Sequence, residues 1–147
     1  MDCEKELSVG SAVGLFVSKK PVDEMMLDHQ GVVNDKFYNK ARERSVLLSA
    51  EQSYALAKEK GISLGAGELG ENILLDYNPY HLTPGAQIRI GEVTLEITQN
   101  CTLCKSLSKI DSKLPKLLKD DRGIFARVVK EGIIKKGDQV YIIKERK

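Results

Sequence analysis

The sequence contains no tryptophan, and its five tyrosines and three phenylalanines make up only 5% of 147 residues. Proteins that stack nucleic-acid bases on aromatic side chains ordinarily carry more of them, so the composition argues against that class of partner. Charge points the same way. The 23 Lys and Arg nearly cancel the 21 Asp and Glu, and the resulting field is too weak to select a polyanion, although local basic clusters remain. No stretch reaches the roughly 20 apolar residues that span a bilayer. The opening residues, Met1-Asp2-Cys3-Glu4-Lys5-Glu6, lack the basic-then-apolar plan of a secretory signal. The expectation is a cytoplasmic protein with no membrane segment and no nucleic-acid partner; a homo-oligomer is left open.

Cysteine is also scarce. There are three, an odd number, and two of them, Cys101 and Cys104, stand three positions apart. That is not the even, dispersed framework of a small secreted domain. In a reducing compartment they are thiols, available for metal or sulfur chemistry. A chain of this length suffices for one domain over residues 1–147 and buries about two thirds of its unfolded surface without disulfide staples.

What is present reads as many short strands punctuated by glycine. Ser11 to Ser18 is rich in small and β-branched residues and runs into Lys19-Lys20-Pro21, a strand leaving into a loop. Residues 20 to 43 show no sustained period and read as a long, partly irregular connection. Arg44 to Leu48 reads as a short apolar strand ending at Ser49. Ser49-Ala50-Glu51-Gln52 matches a capping box, opening a helix that runs to Lys60 with Gly61 as its left-handed stop. Gly65, Gly67 and Gly70 then crowd together ahead of Ile73-Leu74-Leu75, where backbone turns sharply or approaches something closely. Thr83-Pro84-Gly85 is a turn. Residues 87–90 and 93–98 alternate around Gly91-Glu92 as a hairpin. Leucines and isoleucines between Cys101 and Lys119 recur at helical spacing, broken into two helices near Asp111, Ser112 and Pro115. Residues 123–129 and 139–143 are two further strands. The whole predicts a mainly β fold: an antiparallel barrel-like structure with two or three helical insertions.

Three constellations can carry chemistry. Cys101-Thr102-Leu103-Cys104 follows a predicted strand and opens a predicted helix, where unpaired amides and the helix dipole favour thiolate. Zinc would need further ligands, and Cys3, His29 and His81 are scattered. A thioredoxin-type pair would sit in a βαβ setting, which is missing. The plain alternative is two buried small hydrophobes. In Gly67-Glu68-Leu69-Gly70-Glu71-Asn72, glycine amides can face an anion and Asn72 can meet a heterocycle edge; equally, Asn72 can satisfy its own backbone in a glycine turn. Lys36, Lys40, Arg42 and Arg44, with Asp35 beside them and Arg122 far downstream, suit either a phosphate group or a solvated charged face.

Taken in order, these segments resemble the MOSC family, the domain found at the C-terminus of molybdenum-cofactor sulfurases, in a small stand-alone form of bacterial type. The resemblance covers residues 11 to 143 through Gly31-Val32-Val33-Asn34-Asp35-Lys36, Arg44-Ser45-Val46, Gly67 to Ile73, Leu82 to Gly85, Thr98-Gln99 leading to Cys104, Arg122-Gly123 and Gly137-Asp138. It implies a β-barrel-like fold and a molybdenum cofactor. It further implies that Cys104 carries sulfur as a persulfide or ligates molybdenum. Asn72, Glu71 and Gly70 would lie near the pterin, with Lys36, Arg44 and Arg122 holding its phosphate. Cys101 stands where many members have a basic residue, so that it either adds a resolving thiol or simply lacks the family's phosphate contact. A cysteine desulfurase as sulfur donor, or a molybdoenzyme as acceptor, is the implied partner. The chain shows no site for the pyridoxal phosphate that serves the sulfurases of this family. Alternatives are a molybdenum-dependent reductase of N-hydroxylated compounds and a non-catalytic interaction module. Three departures stand out: Asn34 where a second Gly is common, Phe37 where His is common, and Leu103 where Pro usually precedes the cysteine.

Overall fold

The computed structural model describes residues 8–36, 38–40, 44–100, 111–118 and 123–144. Among them run eleven strands: β1 (Ser8–Val17), β2 (Lys20–Val22), β3 (Glu24–Asp28), β4 (Gly31–Val32), β5 (Val46–Ala50), β6 (Ile73–Leu75), β7 (Gln87–Ile90), β8 (Val93–Asn100), β9 (Ile124–Lys130), β10 (Gly132–Lys135) and β11 (Gln139–Lys144). Two helices accompany them, α1 (Glu51–Glu59) and the single turn α2 (Leu114–Leu117). No helix of the described residues is long and apolar enough to cross a membrane.

Seven strands close a barrel in the order β11-β7-β8-β9-β5-β6-β1. Long β1 shuts the ring by pairing with β11 through Ser11↔Gln139 and with β6 through Leu15↔Ile73. Closure leaves no open edge to the ring. Its interior is filled by alternating residues such as Leu15, Val46, Leu48, Ile73, Ile88, Leu95, Ile97, Ile124 and Ala126, all buried. The mainly β, barrel-like expectation holds, with one departure from antiparallel pairing: β5 and β6 run parallel, Leu48 beside Ile73 and Ala50 beside Leu75. A crossover through α1 and the glycine-rich segment makes that possible, since parallel neighbours need such a connection.

Of the stretch 20–43, expected to be a partly irregular connection, residues 20–32 are mostly strand. Ser18-Lys19 makes a two-residue hairpin turn that places Val17 opposite Lys20, so β1 does not leave into a loop. Strands β3, β4 and β10 form a second small sheet. It contributes Met25, Leu27, Val32 and Ile134 to the main core. Alternation in Glu24 to Asp28 was the available signal, masked by its shortness.

The helix start also differs from the capping-box reading. Ser49 is the fourth residue of β5, fully buried, and Ala50 is the N-cap with no side-chain bond to the helix amides. Residues 46–50 are buried throughout because β5 has the barrel on one face and an outer layer on the other. That layer packs Ala57, Ile62, Leu69, Leu114 and Leu118. The stop is as expected: Gly61 has φ +76°, its amide donates to Lys58, and the Ile62 amide reaches back to Ala57, the two bonds of a Schellman cap. The β7–β8 hairpin likewise has Ile90 opposite Val93 across Gly91-Glu92.

Candidate functional site

Asn72 lies just before β6 and is 6% exposed. Its backbone amide donates to Leu47 and its own carbonyl accepts from Phe16, both at 2.8 Å. Its side chain repeats the pattern. Oδ1 accepts the Leu47 amide at 3.0 Å, while Nδ2 donates to the Phe16 carbonyl at 3.3 Å and to Asp35 Oδ1 at 3.2 Å. One amide thus joins β5, β1 and the loop after β4. With both N–H groups committed, Asn72 acts on any ligand through the backbone it positions.

Asp35, also buried, accepts the Ser18 amide at 2.6 Å, and Ser18 Oγ accepts the Lys36 amide at 2.9 Å. Lys36 itself is exposed. Asn34 has φ +75°, the left-handed region that Asn tolerates best after Gly. Its substitution for the usual glycine therefore keeps the turn.

The glycine-rich loop is fixed from below by a pair that sequence reasoning missed in part. Glu71 is 1% exposed, and the Tyr54 hydroxyl of α1 lies 2.6 and 2.8 Å from its two oxygens. The same hydroxyl accepts the amides of Gly67 at 3.1 Å and Leu69 at 3.3 Å. Burial, then the Glu71 charge, holds the Tyr54 hydroxyl far above the usual phenol range. Tyr54 carries no sequence signal of this role, because the bond spans 17 positions. Gly67, at φ +91°, lets the loop lie against the Phe16 ring; a Cβ there would be 2.8 Å from Phe16 Cδ1. Gly70, at φ +88°, borders open space: a Cβ there would have nothing within 4 Å.

A β-bulge at Thr98 shifts the β8–β9 register so that Gln99 stands opposite Phe125. Bulges commonly re-aim a chain beside a site. Phe125 in turn faces Leu47 on β5, and Leu47 is bonded to Asn72. Gln99, Phe125, Leu47 and Asn72 therefore stand in one row across four neighbouring chain segments, spanning about 14 Å at ordinary strand spacing. Exposed Arg44 sits on this row with its guanidinium 5.0 Å from the Phe125 ring centre. Among the described residues it has no carboxylate partner. The row brings together the segments containing Gly70, Glu71, Asn72 and Arg44 and the strand that leads on toward Cys101 and Cys104. Cys101, Cys104, Arg122 and Phe37 themselves lie outside the described residues. No cluster of three His, Cys, Asp or Glu suited to a metal occurs among the described residues.

A profile of the MOSC domain matches residues 29–141, more than three quarters of the chain. The chain belongs to the MOSC domain family. The MOSC fold is shared with solved structures of low sequence identity. The YuaD protein of Bacillus subtilis superposes with a TM-score of 0.80 at 18% identity, over 97% of this chain and 99% of that one. YiiM of Escherichia coli gives 0.74 at 20% identity, over 93% and 71%. YiiM of Geobacillus stearothermophilus gives 0.70 at 17%, over 93% and 73%. No curated protein matches.

Proposed function

We propose that this MOSC protein is a sulfur-carrying and cofactor-binding module, in which Cys104 accepts sulfur as a persulfide from a cysteine desulfurase and presents it to a molybdenum cofactor. The observation that carries the reading is the row Gln99, Phe125, Leu47 and Asn72. It puts Asn72 of the Gly67 to Ile73 segment and Gln99 of the Thr98-Gln99 segment on one outer strip of the barrel. The described residues fit an anionic cofactor in one respect: Arg44, stacked on Phe125 and without a carboxylate partner among them, keeps its planar fork for the pterin phosphate. Lys36 and Arg122 are the further cations proposed to help, and open space at Gly70 admits close approach to the loop. Asn72 and Glu71 serve as positioning residues. The bound cofactor would supply molybdenum for sulfur or oxygen transfer.

In the transfer, the Cys104 thiolate attacks the outer sulfur of the donor's cysteine persulfide. The donor's sulfur–sulfur bond breaks, the donor cysteine leaves as a thiolate, and Cys104 holds the new persulfide. If Cys101 then attacks the inner sulfur, hydrosulfide leaves and a Cys101–Cys104 disulfide remains for a thiol reductant to reopen.

Intact-mass analysis after incubation with a cysteine desulfurase and cysteine tests this reading. One added sulfur on the wild type and none on Cys104→Ser is the expected result. Undiminished addition in Cys104→Ser overturns it. Molybdenum analysis of gently purified protein separates the alternative: stoichiometric metal without any persulfide favours a molybdenum-dependent reductase.

A further inference from the structure

A glycine-rich loop beside a ligand site ordinarily offers its backbone amides to an anion. Here the amides are already taken. Gly67 and Leu69 donate to the Tyr54 hydroxyl at 3.1 and 3.3 Å. Glu68 donates to the Gly65 carbonyl and Gly70 to the Gly67 carbonyl, both at 3.0 Å. The four consecutive amides from Gly67 to Gly70 are therefore committed within the loop and to α1. The Glu71 amide follows them in a residue that is 1% exposed.

Tyr54 is what turns the loop this way. A phenol oxygen donates one hydrogen and accepts two; this one gives its proton to Glu71 and receives two amides. Burial and then the Glu71 charge hold its pKa far above the phenol range, so it stays a neutral acceptor for the loop.

The polarity left for a ligand is the opposite of an anion cradle. Gly70 borders open space, and among the described residues none donates to its carbonyl. The charged residues from Gly61 to Asn72 are Glu68 and Glu71, both acidic. Glu68 is exposed, with one oxygen on the Gly65 amide, and Glu71 is buried. The nearest cations in the chain, Lys58 and Lys60, stand at the end of α1, where Lys58 lines a groove with Ile62 and Leu64. Arg44 lies at the Phe125 end of the strip, two strand spacings or about 10 Å from Asn72. The strip is thus cationic at one end and acceptor-lined at the other.

We propose that the Gly67–Gly70 loop reads N–H groups: it selects a flat heterocycle that turns adjacent N–H hydrogens toward Gly70 while its anionic group lies at Arg44. This rests on the cofactor-binding part of the reading above and gives the pterin a direction along the strip. The 2-amino and N3 hydrogens of a pterin form such a pair, on the ring edge far from the side chain that carries the phosphate. Tyr54 is a positioning residue, acting through the amides it holds.

Fluorescence titration of the whole chain with 6-hydroxymethylpterin phosphate and with its lumazine counterpart tests this. Lumazine carries a C2 carbonyl where pterin carries the amino group, so the probes differ at the edge in question. The wild type should bind the pterin about tenfold more tightly or better, because lumazine sets an acceptor against an acceptor. Arg44→Gln should weaken both probes alike and leave that ratio unchanged. Tyr54→Phe, which releases the Gly67 and Leu69 amides, should bring the ratio close to one, whereas a merely structural loss would lower both affinities together. A wild-type ratio near one, or one that favours lumazine, overturns the proposal without either variant. An unchanged ratio in folded Tyr54→Phe overturns the role given to Tyr54. If neither probe binds while Cys104 still takes up sulfur, this edge is overturned and the carrier reading stands; the expected ratio without any persulfide supports the edge and overturns the carrier reading.

Discussion

The side-chain amide of Asn72 and the carboxylate of Asp35 meet at 3.2 Å, 37 positions apart in the chain, inside a buried junction of β1, β5 and the loop after β4. Asn72 is thus part of the frame of the candidate site. Replacing Asn72 by Ala would strip the Leu47 amide of its side-chain acceptor and the Phe16 carbonyl of a donor. Urea unfolding should report a loss of about 2–4 kcal/mol. Asn72→Asp should be worse, with one carboxylate set against another. A loss below about 0.5 kcal/mol, the range of a surface substitution, would mean that the amide is not committed to the fold.

Tyr54 gives the protein an alkaline limit. Its folded-state pKa is raised, first by burial and then by Glu71, above an unfolded value of about 10. Its contribution to stability is therefore complete below about pH 10 and lost as the pH climbs toward the folded value. Ultraviolet titration should show Tyr54 ionising after the other tyrosines and together with unfolding. Tyr54→Phe should cost about 1–3 kcal/mol at neutral pH and flatten the alkaline decline. An unchanged slope above pH 10 would contradict the assignment.

Ser49 bears a fully buried hydroxyl with no hydrogen-bond partner among the described residues. Because a buried polar group without a partner is a cost, Ser49→Ala should leave stability unchanged or raise it by about 1 kcal/mol. Thermal denaturation checks this. A clear loss would show that the hydroxyl is satisfied in solution.

The two glycines of the Gly67–Gly70 loop should respond unequally. Both have positive φ, but a Cβ at Gly67 collides with the Phe16 ring whereas one at Gly70 meets nothing. Gly67→Ala should cost about 2–4 kcal/mol and Gly70→Ala only about 1. Equal costs in chemical denaturation would argue that Phe16 does not pack on the loop. A side chain larger than Ala at Gly70 should weaken cofactor or donor engagement before it weakens the fold, read as slower sulfur uptake at an unchanged melting temperature.

Local chemistry made much of this protein legible along the chain. The Gly91-Glu92 hairpin, the left-handed stop at Gly61 and the turn in which the Ala86 amide returns to the Thr83 carbonyl depend on a few consecutive residues. The order of the family segments was equally plain. Short strands such as β3 and β4 were not, since a few alternating residues in a polar stretch give too weak a period.

The sequence by itself determined the barrel class, the turns and the family. Only the tertiary structure decided what the polar residues do. Asn72 finds its partners 25 and 37 positions away, Ser49 passes from helix cap to buried strand because an outer layer covers β5, and Lys19 becomes a neighbour of Lys36 through Ser18 and Asp35. A hydrogen bond is satisfied by whichever group packing brings within about 3 Å. Strand register and layer packing, set by the whole core, choose that group.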